Sequence, residues 1–181
     1  FKCDWSSDVC SSDLIRAIEV PMRDGRPLGD TEFASMSAAY DALDAPMKER
    51  LEGLQAVQSI ELRYARTEAA GIRKPNLNTI ITSPPSAVHP VVRPHPVTGR
   101  KCLFVSEAYT QRILGLPEDE SRDLIKELAN HAIQPRFRYR HSYQVHDLLL
   151  WDDNSTQHKA TFDYRLPERR LMHRTTVGLT P

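Results

Sequence analysis

The sequence has no excess of charge of either sign and no long apolar run. Lys and Arg together number 24 of the 181 residues, Asp and Glu also number 24, and the formal net charge at pH 7 is zero. Surfaces that bind nucleic acid or anionic membranes carry a basic excess, so we expect neither kind of partner. No apolar run approaches the ~20 residues of a membrane-spanning helix, and no basic segment followed by an apolar one marks a signal peptide.

Cysteine is also scarce, with three residues in the whole chain. Two of them fall within residues 1–14, where D-W-S-S-D-V-C-S-S-D-L resembles, codon by codon, the translation of a sequencing-library adapter. We therefore expect residues 1–14 to be a non-native segment that is set aside from the fold. Cys102 then remains alone, which allows no internal disulfide and fits a reducing, cytoplasmic compartment.

Two stretches near the C-terminus hold the densest set of candidate functional residues. In residues 148–158, L-L-L-W-D-D-N-S-T-Q-H, an apolar run ends in a polar turn that delivers His158, a frequent position for a metal ligand. In residues 169–176, R-R-L-M-H-R-T-T, strand alternation puts Arg170 and Arg174 on one face, and paired guanidiniums suit small dianions. Spacing alone leaves open a solvated arginine face and a hydrogen-bonded core histidine.

These motifs resemble a known family. W-D-x-x-x-T-Q-H followed by D-Y-x-L-P-E-R-R-L-M-H-R-T-T is similar to the C-terminal signature of the taurine dioxygenase family of iron(II)- and 2-oxoglutarate-dependent oxygenases, and the resemblance extends upstream through residues 89–105 to Gly29-Asp30-Thr31. It implies that residues 15–181 are the C-terminal portion of a single dioxygenase domain. The expected fold is mainly β with peripheral helices, a double-stranded β-helix (jelly roll) truncated at the N-terminus. Short strands and frequent turn signals favour the same class.

The resemblance also implies a function and its residues. The reaction would be hydroxylation of a small anionic substrate of the sulfonate, sulfate ester or aryloxy-carboxylate type, with Fe(II) as cofactor, and with 2-oxoglutarate and O2 giving succinate and CO2. His158 would be a metal ligand. Thr31 and Arg170 would hold the distal carboxylate of 2-oxoglutarate, and Arg174 would lie near its C1 carboxylate and the substrate's anionic group.

Two of these assignments leave alternatives. The turn after His158 is one residue longer than in taurine dioxygenase, so counting from His158 selects Arg169, whereas the R-R-L-M-H-R motif selects Arg170. We prefer Arg170 because it shares strand parity with Arg174. Thr31 precedes a stretch with helical spacing, so it could instead be the cap of that helix.

The family's W-H-x-D-V metal motif has only an imitation here. In Trp5-Ser6-Ser7-Asp8-Val9 a serine stands where the histidine must be, and a neutral hydroxyl is a poor iron(II) ligand beside imidazole and carboxylate. We therefore expect His158 to be the one metal ligand that remains, and this chain to be inactive as it stands.

The remaining stretches carry weaker signals. Residues 64–86 have no periodicity, which predicts a long loop, and the resemblance implies that this loop covers the substrate. The resemblance also implies that the hairpin with His89 and His95 is scaffold, so we expect both histidines to be structural. Residues 136–141 alternate arginine with aromatic residues, a pattern that single-stranded nucleic-acid binders also show. Two alternatives to the oxygenase therefore remain, a scaffold protein of the same fold without chemistry and a nucleic-acid-binding β domain. A homo-oligomer is left open.

Overall fold

A computed structural model describes residues 10–60, 62 and 86–178. Its strands are β1 Cys10–Glu19, β2 Met22–Arg23, β3 Arg26–Pro27, β4 Thr31–Ser35, β5 Gln55–Ser59, β6 Ser86–Pro90, β7 Val92–Pro94, β8 Lys101–Leu103, β9 Thr110–Ile113, β10 Arg138–His141, β11 Leu148–Asp152, β12 Thr156–Ala160 and β13 Leu171–Gly178. Its helices are α1 Met36–Asp41, α2 Ala45–Leu51 and α3 Glu118–Ala132, with a 3-10 turn at Pro135–Phe137. The expected fold class, mainly β with peripheral helices, is confirmed.

Two three-stranded antiparallel sheets enclose one of the two cores. Their strand orders are β11-β1-β13 and β10-β4-β12. Ile15 and Ala17 from β1, Trp151 from β11 and Phe33 from β4 pack together with Tyr143 in this core. The two sheets thus pack side chains of β1, β4 and β11 against one another, as a β-sandwich does.

A second core lies under the helices. The sheet β6-β5-β9 contributes Ala56 and Ile113, which pack against an apolar stripe of α3 and against α1. The spacing of apolar residues in 118–132 predicts one apolar stripe on a helix, and its members Leu124, Ile125 and Leu128 are all buried. Cys102 lies in an apolar stretch that predicts a buried side chain, and its exposed fraction is 0%.

Helix boundaries exclude one alternative. Thr31 does not cap a helix, because residues 31–35 form β4 between β10 and β12, and the N-cap of α1 is Ser35, whose Oγ accepts a hydrogen bond from Ala38 N. The sequence Asp44-Ala45-Pro46 predicts a helix cap followed by proline in the first turn, and this prediction is confirmed, since Asp44 Oδ1 accepts a hydrogen bond from Met47 N.

Other boundaries differ from the expectations as well. The sequence predicts a short strand over residues 15–20, but β1 begins at Cys10, so residues 10–14 pair with β11 and β13 and are part of the sheet. The sequence also predicts strands over residues 55–62 and from residue 136, but β5 ends at Ser59 and β10 begins at Arg138, after the 3-10 turn. The metal-motif imitation at residues 5–9 and nearly all of the loop at residues 64–86 lie outside the described residues.

Among the described residues, no helix combines the length and the apolar character that crossing a bilayer requires.

Candidate active site

The two arginines that the sequence singled out lie at the start of β13, since Arg174 is in the strand and Arg170 directly precedes its first residue, Leu171. Arg170, Met172 and Arg174 are all partly buried, whereas the odd-numbered residues between them are exposed. Met172 packs against the core between the two three-stranded sheets. The expectation that Arg170 and Arg174 share one face is therefore confirmed. Four residues of strand separate their Cα atoms by roughly 13 Å.

Arg170 lies against the segment that contains Thr31. Its Nε donates a hydrogen bond of 2.9 Å to Gly29 O, and its guanidinium carbon lies 5.4 Å from the ring centre of Tyr143. The hydroxyl of Tyr143 is hydrogen-bonded to Thr31 Oγ1 at 3.0 Å. A hydroxyl pair and a guanidinium therefore meet at one end of the core, a donor set that suits a carboxylate.

Arg169 lies elsewhere. Its Nε is 3.5 Å from a carboxylate oxygen of Glu19, and 69% of its side chain is exposed. The structure thus brings Arg170, and not Arg169, to the predicted 2-oxoglutarate residue Thr31.

Glycine at position 29 makes the close approach of Arg170 feasible. Its φ of +73° is in the left-handed region, and a Cβ at this position would come within 2.7 Å of Arg170 Cδ. Any other residue would therefore push the guanidinium away from Thr31.

His158 is on β12 and lies beside Phe33, which is two positions from Thr31 on β4. His158 pairs in register with Phe33, and its ring centre is 6.1 Å from that of Phe33 and 4.9 Å from that of Trp151. Thr31 and Phe33 are both buried, at 2% and 8% exposure, and strand alternation puts them on the same face of β4. Because two residues of strand span roughly 6.6 Å, the residues predicted for the metal and for 2-oxoglutarate lie on adjoining parts of one surface.

Arg174 is held by a carboxylate that the sequence analysis set aside. Its Nη2 donates a hydrogen bond to Asp13 Oδ2, and Thr176 Oγ1 donates one of 2.6 Å to Asp13 Oδ1. Asp13 is 0% exposed, since β1 is the central strand of its sheet and the side chain points inward. The guanidinium predicted to bind an external anion is therefore bound to an internal one.

Asp153 is a second buried carboxylate beside His158. Its Oδ1 accepts a hydrogen bond of 3.0 Å from Trp151 Nε1 and lies 4.0 Å from His158 Nδ1, and 11% of its side chain is exposed. Burial, followed by repulsion from the negative charge of Asp13, raises the pKa of Asp153 to about 7. Ligand atoms of Asp13, Asp153 and His158 all lie within 4.8 Å of one another.

The sequence pointed to neither carboxylate. Asp13 fell within the adapter-like residues 1–14, and Asp153 is one of two consecutive acids that read as part of a turn. Its neighbour Asp152 does have the turn role, because it accepts hydrogen bonds from the backbone of Asn154 and Ser155. The two consecutive acids can be distinguished only by their contacts in the structure, and the sequence does not display those contacts.

Two further candidates have structural roles. His95 Nε2 is 3.1 Å from Asp152 Oδ2, and its Nδ1 accepts hydrogen bonds from the backbone of Val97 and Thr98 in the β7–β8 turn. His89 packs edge-on against Phe104 at 5.2 Å. Both observations agree with the structural reading of these histidines.

The chain was compared with known proteins. Residues 14–176 match the model of the taurine catabolism dioxygenase TauD, TfdA family. The chain belongs to this family.

Members of the TauD, TfdA family resemble this chain in sequence and in structure. The alpha-ketoglutarate-dependent 2,4-dichlorophenoxyacetate dioxygenase of Cupriavidus pinatubonensis is 36% identical over 96% of this chain and 59% of its own length. A taurine dioxygenase from Burkholderia xenovorans superposes with a TM-score of 0.77 at 27% identity, over 96% of this chain and 54% of that one. AAD-2, solved in complex with Mn(II) and N-oxalylglycine, gives a TM-score of 0.79 at 31% identity, over 98% of this chain and 66% of that one.

These comparisons confirm the resemblance and the jelly-roll fold that it implied. The chain spans 41% to 61% of the length of four curated relatives that it matches. These four relatives are thus longer than this chain. The activity of the whole protein is therefore a proposal.

Proposed function

We propose that the protein to which residues 15–178 belong is an iron(II)- and 2-oxoglutarate-dependent dioxygenase that hydroxylates a small anionic substrate. The observation that carries this proposal is the placement of Arg170 against the Thr31–Tyr143 pair, on a surface that continues to His158. A carboxylate group and a metal ion could both be held there, side by side.

Each residue has a separate task in this proposal. Arg170 and Thr31 bind the distal carboxylate of 2-oxoglutarate, with the Tyr143 hydroxyl fixing the orientation of the Thr31 hydroxyl. His158 is a ligand of the iron, which when bound supplies the oxidative chemistry that couples 2-oxoglutarate and O2 to hydroxylation. Trp151 and Phe33 pack against the His158 ring, fix its orientation and keep water away from one side of it.

Arg174 explains why we propose an anionic substrate. Its guanidinium lies on the inner face of β13, with 15% of the side chain exposed, and it can bind the C1 carboxylate of 2-oxoglutarate and the acidic group of a substrate. Relatives are named as dioxygenases of 2,4-dichlorophenoxyacetate, of (S)-phenoxypropionate and of sulfonates, and these compounds are all anions at neutral pH. The anionic substrate class is thus supported by the compounds named for these relatives and by Arg174, whose guanidinium would have to exchange the Asp13 carboxylate for an external anion.

The arginines of β10 do not favour the nucleic-acid alternative. Arg140 Nε donates a hydrogen bond of 2.5 Å to Asp30 Oδ2, and Arg138 Nη1 lies 3.7 Å from Glu32 Oε1. Because acids of the adjacent strand neutralise these side chains, they do not form a free basic stripe.

The proposal also covers the origin of residues 1–14 and the cellular compartment of the protein. We take residues 1–14 as non-native and residues 15–181 as the C-terminal portion of one dioxygenase domain, a view that agrees with the family match beginning at residue 14. The single buried thiol of Cys102 supports a cytoplasmic location. The genomic reading frame upstream of residue 15 tests the first point directly, since it should encode an H-x-D motif.

The full-length protein tests the function. With Fe(II), ascorbate and 2-oxoglutarate it should form succinate at a rate that a sulfonate or an aryloxyacetate increases, and His158→Ala should abolish both rates. Succinate formation that is unaffected by His158→Ala would contradict the proposal. So would a full-length protein that, loaded with Fe(II), binds no 2-oxoglutarate.

A further inference from the structure

His95 links the β7–β8 hairpin to the turn between β11 and β12. Its Nε2 lies 3.1 Å from Oδ2 of Asp152, the last residue of β11, and residues 153–155 then lead into β12 and His158. We propose that His95 is a positioning residue, which holds Asp152 and thereby the turn that places His158. This inference rests on the proposed function, in which His158 binds the iron.

The hydrogen on the His95 ring is on Nε2. The backbone N–H groups of Val97 and Thr98 donate to His95 Nδ1, at 3.1 and 3.2 Å. Because an N–H group can only donate, Nδ1 must offer a lone pair, and the other ring nitrogen then carries the hydrogen. His95 Nε2 therefore donates its hydrogen bond to the carboxylate of Asp152.

Asp152 is the acceptor that organises the β11–β12 turn. Its Oδ1 accepts hydrogen bonds from Asn154 N at 3.1 Å and from Asn154 Nδ2 at 3.2 Å, and its Oδ2 accepts from Ser155 N at 2.9 Å and from Ser155 Oγ. Burial acts to raise the pKa of Asp152, but the hydrogen bonds from Ser155 and Asn154 outweigh burial and hold this pKa below its ordinary value. The carboxylate is therefore ionised at neutral pH, and its hydrogen bond from His95 is charge-assisted.

His95 fixes this carboxylate from outside the turn. Within the described part of the chain, the other hydrogen bonds to the Asp152 side chain come from residues 154 and 155, which move together with it. His95 belongs to a separate hairpin, which is closed by hydrogen bonds from His95 N to Arg100 O and from Gly99 N to His95 O. Since only 13% of its side chain is exposed, the ring is a fixed point against which the turn is held.

The residue next to His158 is held by the same hairpin. Gln157 Nε2 donates a hydrogen bond of 2.6 Å to Val105 O. His95 directly follows β7 and Val105 lies two residues after the end of β8, so the hairpin holds the segment 152–157 at both of its ends. The placement of His158 therefore depends on this hairpin as well as on the pairing of β12 with β4.

Asparagine and glutamine separate the two contacts of the His95 ring. The side-chain oxygen of asparagine takes the place of Nδ1, so His95→Asn can still accept from the two backbone N–H groups but cannot reach Asp152. The terminal amide of glutamine takes the place of Nε2, so His95→Gln can still donate to Asp152 but no longer serves the hairpin turn. The first variant removes the positioning contact, and the second keeps it.

The first measurement is amide hydrogen exchange in the 181-residue chain, resolved by residue with nuclear magnetic resonance. We expect His95→Asn to speed exchange at residues 154 and 155 roughly tenfold, the effect of losing one hydrogen bond to a charged group. His95→Gln should leave these amides unchanged and speed exchange at residues 97 and 98. The control is His141→Asn, because His141 and Asp147 form another His–Asp pair with the same distance of 3.1 Å. It should leave residues 154 and 155 unchanged.

The second measurement is the Mn²⁺ affinity of the full-length protein with 2-oxoglutarate present, followed by the electron paramagnetic resonance signal of free Mn²⁺. Mn²⁺ is a suitable probe, because a structural neighbour was solved with it. His95→Asn should weaken the affinity roughly tenfold, since contacts that orient a metal ligand contribute about ten- to a hundredfold. His95→Gln should bind Mn²⁺ as the unaltered protein does, a rescue that a role in stability alone would not produce.

The two variants can overturn the inference in either measurement. Exchange at residues 154 and 155 that His95→Asn leaves unchanged, or that both variants speed equally, would do so, and so would equal Mn²⁺ affinities of the two variants. If circular dichroism shows that His95→Asn is unfolded, Asp152→Asn takes its place, since an amide has one acceptor oxygen instead of two. A full-length protein that binds no Mn²⁺ would contradict the proposed function, and the exchange measurement would still decide whether His95 holds the turn.

Discussion

Arg174 and Asp13 form an ion pair inside the protein, in which the Asp13 side chain is fully buried and 15% of the Arg174 side chain is exposed. They belong to antiparallel neighbours, β13 and the central strand β1, so their backbones are fixed by the sheet on either side. The pair therefore contributes to the stability of the fold and also involves Arg174, the residue proposed to bind anions.

The first prediction concerns this pair. Asp13→Asn leaves the guanidinium of Arg174 buried without its counter-charge, and breaking a buried pair in this way costs about 3–5 kcal/mol. We expect the free energy of unfolding, measured with urea in the presence of a chelator, to fall by that amount. Glu120→Gln, which breaks the exposed Arg50–Glu120 pair, is the control and should cost less than about 1 kcal/mol. Equal midpoints for the two variants would mean that the Asp13–Arg174 pair contributes nothing.

The second prediction distinguishes the two neighbouring arginines. In the full-length protein, Arg170→Ala should weaken 2-oxoglutarate binding roughly ten- to a hundredfold, because a bidentate charged contact is worth about 1.5–3 kcal/mol. Arg169→Ala should have little effect, since Arg169 points to Glu19 at the surface. Calorimetric titration with 2-oxoglutarate in the presence of Mn²⁺ measures both. A larger effect for Arg169→Ala would show that the assignment by strand parity is wrong.

The third prediction uses two glycines with almost the same backbone. Gly29 and Gly53 have φ values of +73° and +74°, but a Cβ at Gly29 would meet Arg170, whereas nothing lies within 4 Å of one at Gly53. Alanine at either position should cost about 1–2 kcal/mol of stability through backbone strain. Only Gly29→Ala should also weaken 2-oxoglutarate binding in the full-length protein, because it displaces the guanidinium. If Gly53→Ala weakens binding equally, the effect does not come from Arg170.

The fourth prediction is a pH dependence of stability. Burial, followed by repulsion from the negative charge of Asp13, raises the pKa of Asp153 from its ordinary value of 3.8 to about 7 in the folded protein. Between about pH 4 and pH 7 the folded state therefore binds more protons at this residue than the unfolded state does. The contribution of Asp153 to stability then falls as the pH rises through this range. We expect Asp153→Asn to remove this part of the pH dependence in urea unfolding of the metal-free chain, and an unchanged profile would contradict the raised pKa.

The sequence was enough to predict that Arg170 and Arg174 share one face of a strand. It did not indicate the residues that contact these two arginines. Arg170 and Arg174 could be placed because strand alternation is a local property that one short stretch displays. The strand of Thr31 was hidden, because Phe33, Met36 and Tyr40 follow helical spacing although only the last two lie in α1. Asp13 could not be found at all, since its importance comes from Arg174, 161 residues away along the chain.

The last prediction concerns turnover by the chain as it stands. The sequence argument for inactivity was the missing H-x-D motif, and the structure adds an independent reason. The guanidinium of Arg174 is hydrogen-bonded to the carboxylate of Asp13. In the proposed function, the same guanidinium must bind the carboxylate of 2-oxoglutarate or the acidic group of the substrate. A carboxylate within the same chain has a high effective concentration, so external anions compete poorly with it. We therefore expect the 181-residue chain to form no succinate from 2-oxoglutarate, Fe(II) and ascorbate above the level of its His158→Ala variant. Succinate formation above that level would show that Asp13 releases Arg174 when 2-oxoglutarate binds.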